Sequence, residues 1–188
     1  MSDFLPALVA TFLAEWGDRT QVLAMMLALR FRGSPKVLWG LGAAVIANTA
    51  LGVVAGHQIG LLLSHRAARL MTAVALVLGG MGALLPQAPP RLPAMRGDAV
   101  LWASFIAFFT AGLGDQAQFL AMALAAQGPS PLLVGAGATL GILFANAPAV
   151  LFGDRITAAV PLRAIRKGVG LLLIVPGVIV AIVALSLA

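Results

Sequence analysis

The sequence predicts an all-α integral membrane protein with six transmembrane helices, arranged as two inverted repeats of three helices. Its 188 residues are 61% hydrophobic and 10% charged, with a mean hydropathy of +1.04. A soluble domain is nearer half apolar and a quarter charged. The second observation is a repeat at an offset of 97 residues, which puts Asp18 and Asp115 at matching places in two apolar segments.

Six apolar segments are long enough to cross a bilayer as helices, which takes roughly 20 residues each. We expect these spans near residues 4–28, 38–62, 70–86, 99–126, 131–152 and 169–187. The first span has no basic residues ahead of it and carries Glu15, Asp18 and Arg19 inside its apolar run. We therefore interpret it as a retained helix and not as a cleaved signal peptide.

The two halves correspond over most of their length. Arg66-Ala67-Ala68-Arg69 matches Arg163-Ala164-Ile165-Arg166, and Ala47-Asn48 matches Ala145-Asn146 after a slip of one residue. Because three helices per repeat is an odd number, the second copy enters from the opposite side and the repeats are inverted. The predicted domains are residues 1–85, a Pro-rich linker at 86–98 that cannot be helical throughout, and residues 99–188.

The Lys and Arg residues predict the orientation. Nine lie on one side of the predicted bundle and two, Arg66 and Arg69, on the other, while Arg19 lies within the membrane. The nine are Arg30, Arg32, Lys36, Arg91, Arg96, Arg155, Arg163, Arg166 and Lys167. Because cytoplasmic loops carry the excess of basic residues, we expect the linker in the cytoplasm and both termini outside.

The same composition narrows the function. The net charge of +6 comes from these loops, so we expect a lipid bilayer as the surroundings and no nucleic-acid partner. The absence of cysteine excludes thiol chemistry and disulfides. No catalytic triad, phosphate loop or metallohydrolase spacing occurs, so we expect neither an enzyme nor a bound cofactor. The preference for Arg over Lys, with many Ala and Gly, favours a bacterial inner-membrane protein.

The middle of the first span is too polar to face lipid. Glu15, Asp18 and Arg19 cost about 8–10 kcal/mol at the bilayer centre, and the Leu, Val and Phe residues of the span offset only about 3–5 kcal/mol. On a continuous helix Thr11 shares an arc with these three, whereas Thr20 points elsewhere. The polar face must turn to the protein interior or to a cavity, and ionisable residues there indicate a functional site.

The second half repeats part of this pattern. Asp115 and Gln118 keep the spacing of Asp18 and Gln21. Glycines lie beside the acids in both halves, where they permit close helix packing or a local break that frees backbone carbonyls. An oxygen-rich, sulfur-free cluster of this kind suits a hard divalent cation such as Ca²⁺, Mn²⁺ or Mg²⁺.

These arguments give a predicted cation and proton site. The predicted metal ligands are Glu15, Asp18 and Asp115, and the further candidate binding residues are Thr11, Gln21 and Gln118. The residues expected to tune the site are Gly17, Arg19, Asn48, Gly112, Gly114, Gln116 and Asn146. For the two asparagines we favour interhelical hydrogen bonds over direct ligation. The alternative to a site is simple ion pairing with Arg19, which would leave two of the three negative charges unbalanced.

The first motif, Glu15-x-Gly17-Asp18-Arg19-Thr20-Gln21, resembles the E-x-G-D-[KR]-[ST] signature of uncharacterised protein family 0016. That family contains Golgi and chloroplast manganese/calcium transporters and bacterial manganese exporters. The resemblance covers essentially the whole chain. It implies one motif in each half of a six-helix inverted repeat, and export of Mn²⁺ or Ca²⁺ in exchange for protons. It also implies that the motif acids are cation ligands and proton carriers.

The second motif departs from the family signature. Gly112 stands where the family has glutamate, Gln116 where it has a basic residue, and Ala117 where it has Ser or Thr. One acid and one base are therefore absent together. The remaining three acids and one arginine give a net charge of −2, the charge that one divalent cation neutralises.

Two other functions remain open at this stage. An exporter of amino acids or other small organic cations would share the composition, although we expect an aromatic pocket for it, and the chain has no Tyr and three Trp. A non-transporting membrane subunit with a decayed second motif is the other. The physiological metal, the proton stoichiometry and the oligomeric state, including a homo-oligomer, are left open.

Overall fold

The computed structural model describes residues 3–86, 90, 99–152 and 162–186. Within them every regular element is an α-helix, as predicted, and there are eight helices and no strands. They are α1 (Phe4–Glu15), α2 (Arg19–Arg30), α3 (Pro35–Leu62), α4 (His65–Leu84), α5 (Val100–Gly112), α6 (Gln116–Gln127), α7 (Pro131–Phe152) and α8 (Leu162–Ser186). Most of the predicted linker, and the predicted loop around Arg155, lie outside the described residues.

Four helices are long and apolar enough to cross a membrane, namely α3, α4, α7 and the Ala164–Ser186 part of α8. A fifth span results if α5 and α6 count as one helix bent by 64°. Helices α1 and α2 have 12 residues each, fewer than the roughly 20 that a span needs. The described residues therefore contain four or five candidate spans, and the predicted sixth is not identified by length and composition.

Helices α4 and α8 begin earlier than the apolar pattern predicts. Helix α4 starts at His65 because the side chain of Ser64 accepts a hydrogen bond from the Ala67 N–H at 3.2 Å and caps the helix. Its first turn is basic, so a hydropathy argument places the start too late. Helix α8 likewise includes basic residues before its apolar run.

The predicted continuous helices at 4–28 and 99–126 are each interrupted. The first break is Trp16-Gly17-Asp18 and the second break is Leu113-Gly114-Asp115. The glycines have φ angles of 75° and 74°, a region that only glycine adopts without strain. The residues before them have φ/ψ of −69°/118° and −71°/116°, and the aspartates have −80°/170° and −76°/175°. The two breaks therefore have the same backbone conformation.

The long helix of each half packs against the broken helix of the other half. Helix α7 packs on α1 and α2, and α3 packs on α5 and α6. Glycines permit the close approach. A Cβ on Gly40 would lie 2.8 Å from the Leu101 carbonyl oxygen, and one on Gly137 would collide with the Phe4 carbonyl oxygen. Both pairs are related by the 97-residue offset, so the correspondence of the two halves extends to their contacts.

Helices α4 and α8 form a separate pair beside this core. They approach closely at Gly80 and Gly170, since a Cβ on Gly170 would lie 2.8 Å from the Gly80 carbonyl oxygen. The outer face of α8 carries large apolar side chains that are more than half exposed, namely Leu171, Leu172, Val175, Ile179 and Ile182. Such a face fits lipid.

Candidate functional site

The two breaks position the acids. Glu15 is the last residue of α1, and its side chain is only 2% exposed. Asp18 precedes α2 and is 6% exposed, while Asp115 precedes α6 and is partly buried. Because the helix is broken between Glu15 and Arg19, with Gly17 at a positive φ, residues beyond the break do not follow the 100° rotation of a continuous helix. The prediction that Glu15, Asp18 and Arg19 share one helical arc is therefore wrong.

The break also exchanges the predicted positions of Arg19 and Thr20. Arg19 is exposed, whereas Thr20 is buried and donates a hydrogen bond from its hydroxyl to Glu15 Oε2. The same oxygen accepts a hydrogen bond from Asn146 Nδ2 at 2.7 Å. Thr20 is thus a site residue that the helical-wheel argument missed. The sequence feature that could have identified Thr20 was its position in the motif. A helical wheel does not apply to Glu15 and Thr20, because the helix is broken between them.

The two glutamines fix the breaks. The Gly17 N–H donates to Gln21 Oε1 at 2.9 Å, and Gln21 Nε2 donates to the Ala145 carbonyl oxygen at 2.9 Å. In the second half, the Gly114 N–H donates to Gln118 Oε1 at 2.6 Å, and Gln118 Nε2 donates to a carbonyl oxygen of α3 at 2.9 Å. Each glutamine therefore ties a break to the long helix of the other half.

The carbonyl that accepts from Gln118 belongs to Asn48, which is 97 residues before Ala145. The offset thus holds without a slip in this region. Asn48 corresponds in structure to Ala145, and Thr49 corresponds to Asn146. The slip of one residue suggested by the two Ala-Asn pairs is not needed.

The acids of the two halves face one small cavity. The volume that the centre of a water-sized sphere can occupy in this cavity is about 20 Å³. This is room for about one water molecule or one ion. Its polar lining consists of Glu15, Thr20, Asn48, Thr49, Asp115, Gln118 and Asn146. The cavity therefore brings Glu15 of the first half together with Asp115 of the second.

Several predicted site residues lie outside this lining. Thr11 is fully buried, and its hydroxyl donates to the carbonyl oxygens of Ala7 and Ala138 at 2.8 and 3.2 Å, so it packs α1 on α7. The Gln116 side chain lies against Gly82 of α4. Gln21 uses both ends of its amide in the contacts described above. These three residues support the helices around the cavity.

The negative charges of Asp18 and Asp115 both act on the Glu15 carboxylate. In the described ranges, however, no three His, Cys, Asp or Glu side chains are placed to hold a metal ion together. The predicted three-acid ligand set remains a prediction.

Neutral oxygens complete the lining of the cavity. Among the residues that the structure describes, Asn48 Oδ1, Thr49 Oγ1 and Asn146 Oδ1 are buried and have no hydrogen-bond partner. An unsatisfied buried polar atom costs about 1–3 kcal/mol, so each such atom calls for a ligand, a water molecule or an ion. Three of them around one cavity that already holds two carboxylates favour a cation.

Comparison with known proteins identifies the family. The sequence profile of the divalent cation/proton antiporter GDT1 family matches the chain twice, over residues 3–90 and 100–187. The chain belongs to this family. It is also 34% identical over 168 residues to a Vibrio cholerae serotype O1 protein named "Putative manganese exporter", covering 89% of this chain and 84% of that protein. No solved structure matches the chain at a significant level.

The family resemblance read from the first motif is thereby confirmed. The protein is an integral membrane transporter of divalent cations, with a metal ion and protons as its substrates, and it is not an enzyme. The two matched segments correspond to the two halves of the sequence repeat.

Proposed function

We propose that the protein exports Mn²⁺ from the cytoplasm in exchange for protons, with Ca²⁺ as the less favoured substrate. The observation that carries this proposal is the cavity between the two broken helices, where Glu15 and Asp115 face neutral amide and hydroxyl oxygens. Carboxylate and carbonyl oxygens suit Mn²⁺ and Ca²⁺. The relative from Vibrio cholerae, by its name, favours manganese.

The charge and size of the cavity support a metal ion over an organic substrate. Glu15, Asp18 and Asp115 with Arg19 carry a net charge of −2, which one divalent cation neutralises. Space for about one water-sized sphere is too small for an amino acid. We propose all three acids as ligands, with Asp18 joining the other two when the ion binds.

Proton exchange follows from the chemistry of these ligands. A carboxylate must lose its proton before it binds a metal ion, so metal binding releases protons and proton binding expels the metal. We propose that Mn²⁺ enters from the cytoplasmic side and displaces protons from the acids. Protons from the outer side then displace Mn²⁺ once the site is exposed there.

We further propose that six spans form two inverted repeats, residues 1–85 and 99–188, with α1 and α2 together as the first span. The matched conformation of the two breaks supports this, because α5 and α6 already qualify as one bent span. The distribution of basic residues supports a cytoplasmic linker and outward-facing termini. A bacterial inner membrane is the proposed location.

We propose that the site changes its access by rocking of the two halves against each other. The hydrogen bonds from Gln21 to Ala145 and from Gln118 to Asn48 link the halves, so this motion has to exchange them for other partners.

The test is Mn²⁺ and Ca²⁺ flux into proteoliposomes driven by a pH gradient. Wild type should carry Mn²⁺, and Asp18→Asn should abolish the flux. Asp3→Asn is the matched control, because Asp3 lies away from the cavity and accepts a hydrogen bond from the Ser130 N–H at 3.0 Å, which an asparagine oxygen preserves. Full Mn²⁺ flux in folded Asp18→Asn protein would refute the proposed role of this acid. No flux of either metal in wild type would refute the function.

A further inference from the structure

The second half lacks counterparts of some of the groups that form hydrogen bonds around Glu15. In the first half, Glu15 is held by Thr20 and Asn146. At the 97-residue offset the corresponding residues are Gly112, Ala117 and Thr49. The carboxylate and the threonine hydroxyl that donates to it are therefore absent together, and a threonine replaces the asparagine, so the cavity is built differently at the second break.

Asn48 occupies the space beside the missing carboxylate. A Cβ added to Gly112 would lie 2.7 Å from Asn48 Nδ2 and 3.4 Å from Asp115 Oδ2. At the first break the residue in the place of Asn48 is Ala145, which has no polar side chain. At corresponding positions of the two breaks a large polar residue and a small residue are therefore exchanged: Glu15 with Ala145 at the first, and Gly112 with Asn48 at the second.

The orientation of the Asn48 amide is fixed by its surroundings. Its Nδ2 donates to the Phe109 carbonyl oxygen at 3.0 Å, and the reverse orientation would set two oxygens against each other. The Oδ1 atom is consequently the end left without a hydrogen-bond partner among the described residues. The side chain is only 6% exposed and lines the cavity that holds Glu15 and Asp115.

We propose that Asn48 Oδ1 is a ligand of the transported divalent cation. The proposal rests on the proposed function of the cavity. Side-chain amide oxygens are ordinary ligands of hard divalent cations. A neutral ligand here adds no negative charge, so the net charge of −2 that one divalent cation neutralises is kept.

The test is Mn²⁺ binding to the purified full-length protein, measured by calorimetry on wild type, Asn48→Asp and Asn48→Leu. The leucine has the same branching and number of heavy atoms without the oxygen, and we expect it to weaken Mn²⁺ binding by about 10–100-fold, as for other residues around metal sites. The aspartate keeps an oxygen but loses the donor to Phe109. We expect it to bind Mn²⁺ at least as tightly as wild type.

These variants separate ligation from packing. If Asn48 only packs helices, the Asn48→Asp protein should bind Mn²⁺ as weakly as the Asn48→Leu protein, because both lose the hydrogen bond to the Phe109 carbonyl oxygen. That result would overturn the proposal. Wild-type Mn²⁺ affinity in Asn48→Leu would also overturn it. If the leucine variant does not fold, the aspartate variant alone decides. Ser104→Ala is the matched control, because it removes another buried, unpartnered oxygen that lies outside the cavity lining, and its Mn²⁺ affinity should equal that of wild type. Absence of Mn²⁺ binding in wild type would instead refute the proposed function.

Discussion

The first and second breaks have nearly the same backbone and different chemistry. Their glycine φ angles differ by one degree, and in each a glutamine bonds both the glycine N–H and the opposite long helix. Yet the first break adjoins a carboxylate held by a threonine and an asparagine, and the second adjoins a glycine. The shared Gly and Gln positions therefore preserve the scaffold, the shared Asp positions give each half an acid, and the positions that differ change the remaining polar groups around the cavity.

This difference separates two requirements that one motif normally combines. A broken helix needs glycine at the positive φ and a side chain that satisfies the exposed backbone groups. A cation site needs oxygens with the right total charge. Because the scaffold does not depend on the glutamate, the second half can lose that acid and still retain its fold.

The largest expected effect comes from the carboxylate that only the first half has. Glu15→Gln should lower Mn²⁺ flux by more than about 100-fold, because changing even an outer-shell partner of a metal costs about 10–100-fold. Radioactive or fluorescent Mn²⁺ flux in proteoliposomes measures this, with Asp3→Asn as the control acid. Flux within threefold of wild type would mean that the asymmetry between the halves has no role in transport.

The next effect tests whether the two arrangements are interchangeable. Asn48→Ala should weaken Mn²⁺ binding by about tenfold or more. The double variant Gly112→Glu/Asn48→Ala should recover most of that affinity, because it puts a glutamate beside an alanine, as at Glu15 and Ala145. A double variant no better than Asn48→Ala would show that position 112 does not face the bound ion.

A smaller effect is expected for the hydroxyl that orients the carboxylate. Thr20→Val keeps the volume and removes the donor to Glu15 Oε2, so we expect Mn²⁺ affinity to fall by about tenfold. The corresponding change in the other half, Ala117→Thr, should leave Mn²⁺ affinity unchanged because no glutamate lies beside it. Calorimetry on both variants checks the contrast, and equal losses would contradict it.

The smallest contrast concerns stability, where the halves should agree. Gly17→Ala and Gly114→Ala each force a side chain into the left-handed region, at a cost of roughly 1–2 kcal/mol. A Cβ on Gly114 meets no atom within 4 Å, so its cost there is conformational. Thermal unfolding in detergent should show similar losses. Gly42→Ala, inside α3 and equally uncrowded, should instead raise stability by about 0.5–1 kcal/mol.

Much of this architecture could be predicted from the sequence. Apolar length predicts α3 and α7 to within a few residues, because no Asp, Glu, Lys or Arg interrupts residues 38–62 or 131–152. The 97-residue repeat and the motif predict the family. The acids in an apolar span indicate the site, since only a protected position tolerates them.

The rest depends on contacts that sequence spacing does not reveal. A helical wheel assumes an unbroken helix, so it misplaced Arg19 and Thr20 once Gly17 broke the span. Thr11 looked like a site residue because it shares a face with Glu15, yet its hydroxyl bonds a carbonyl of α7. Asn48, which the sequence predicts as a tuning residue, and Thr49 both reach the cavity from α3, and no local pattern indicates which of them would act as a ligand.

Each long helix packs on the broken helix of the other half, so the first broken helix can make its long-range contacts only late in synthesis. Gln21 Nε2 donates to the carbonyl oxygen of Ala145, which is 124 residues later in the chain. Glu15 Oε2 accepts a hydrogen bond from Asn146, which is synthesised later still. At about 5–20 residues per second, the ribosome needs roughly 6–25 s to supply that partner. Throughout this interval the polar segment of α1 and α2 lacks these hydrogen-bond partners, so we expect the insertion machinery to shelter it. In a chain with only one repeat, these polar groups would lack the partners that the other half provides, unless a second copy of the chain supplied them.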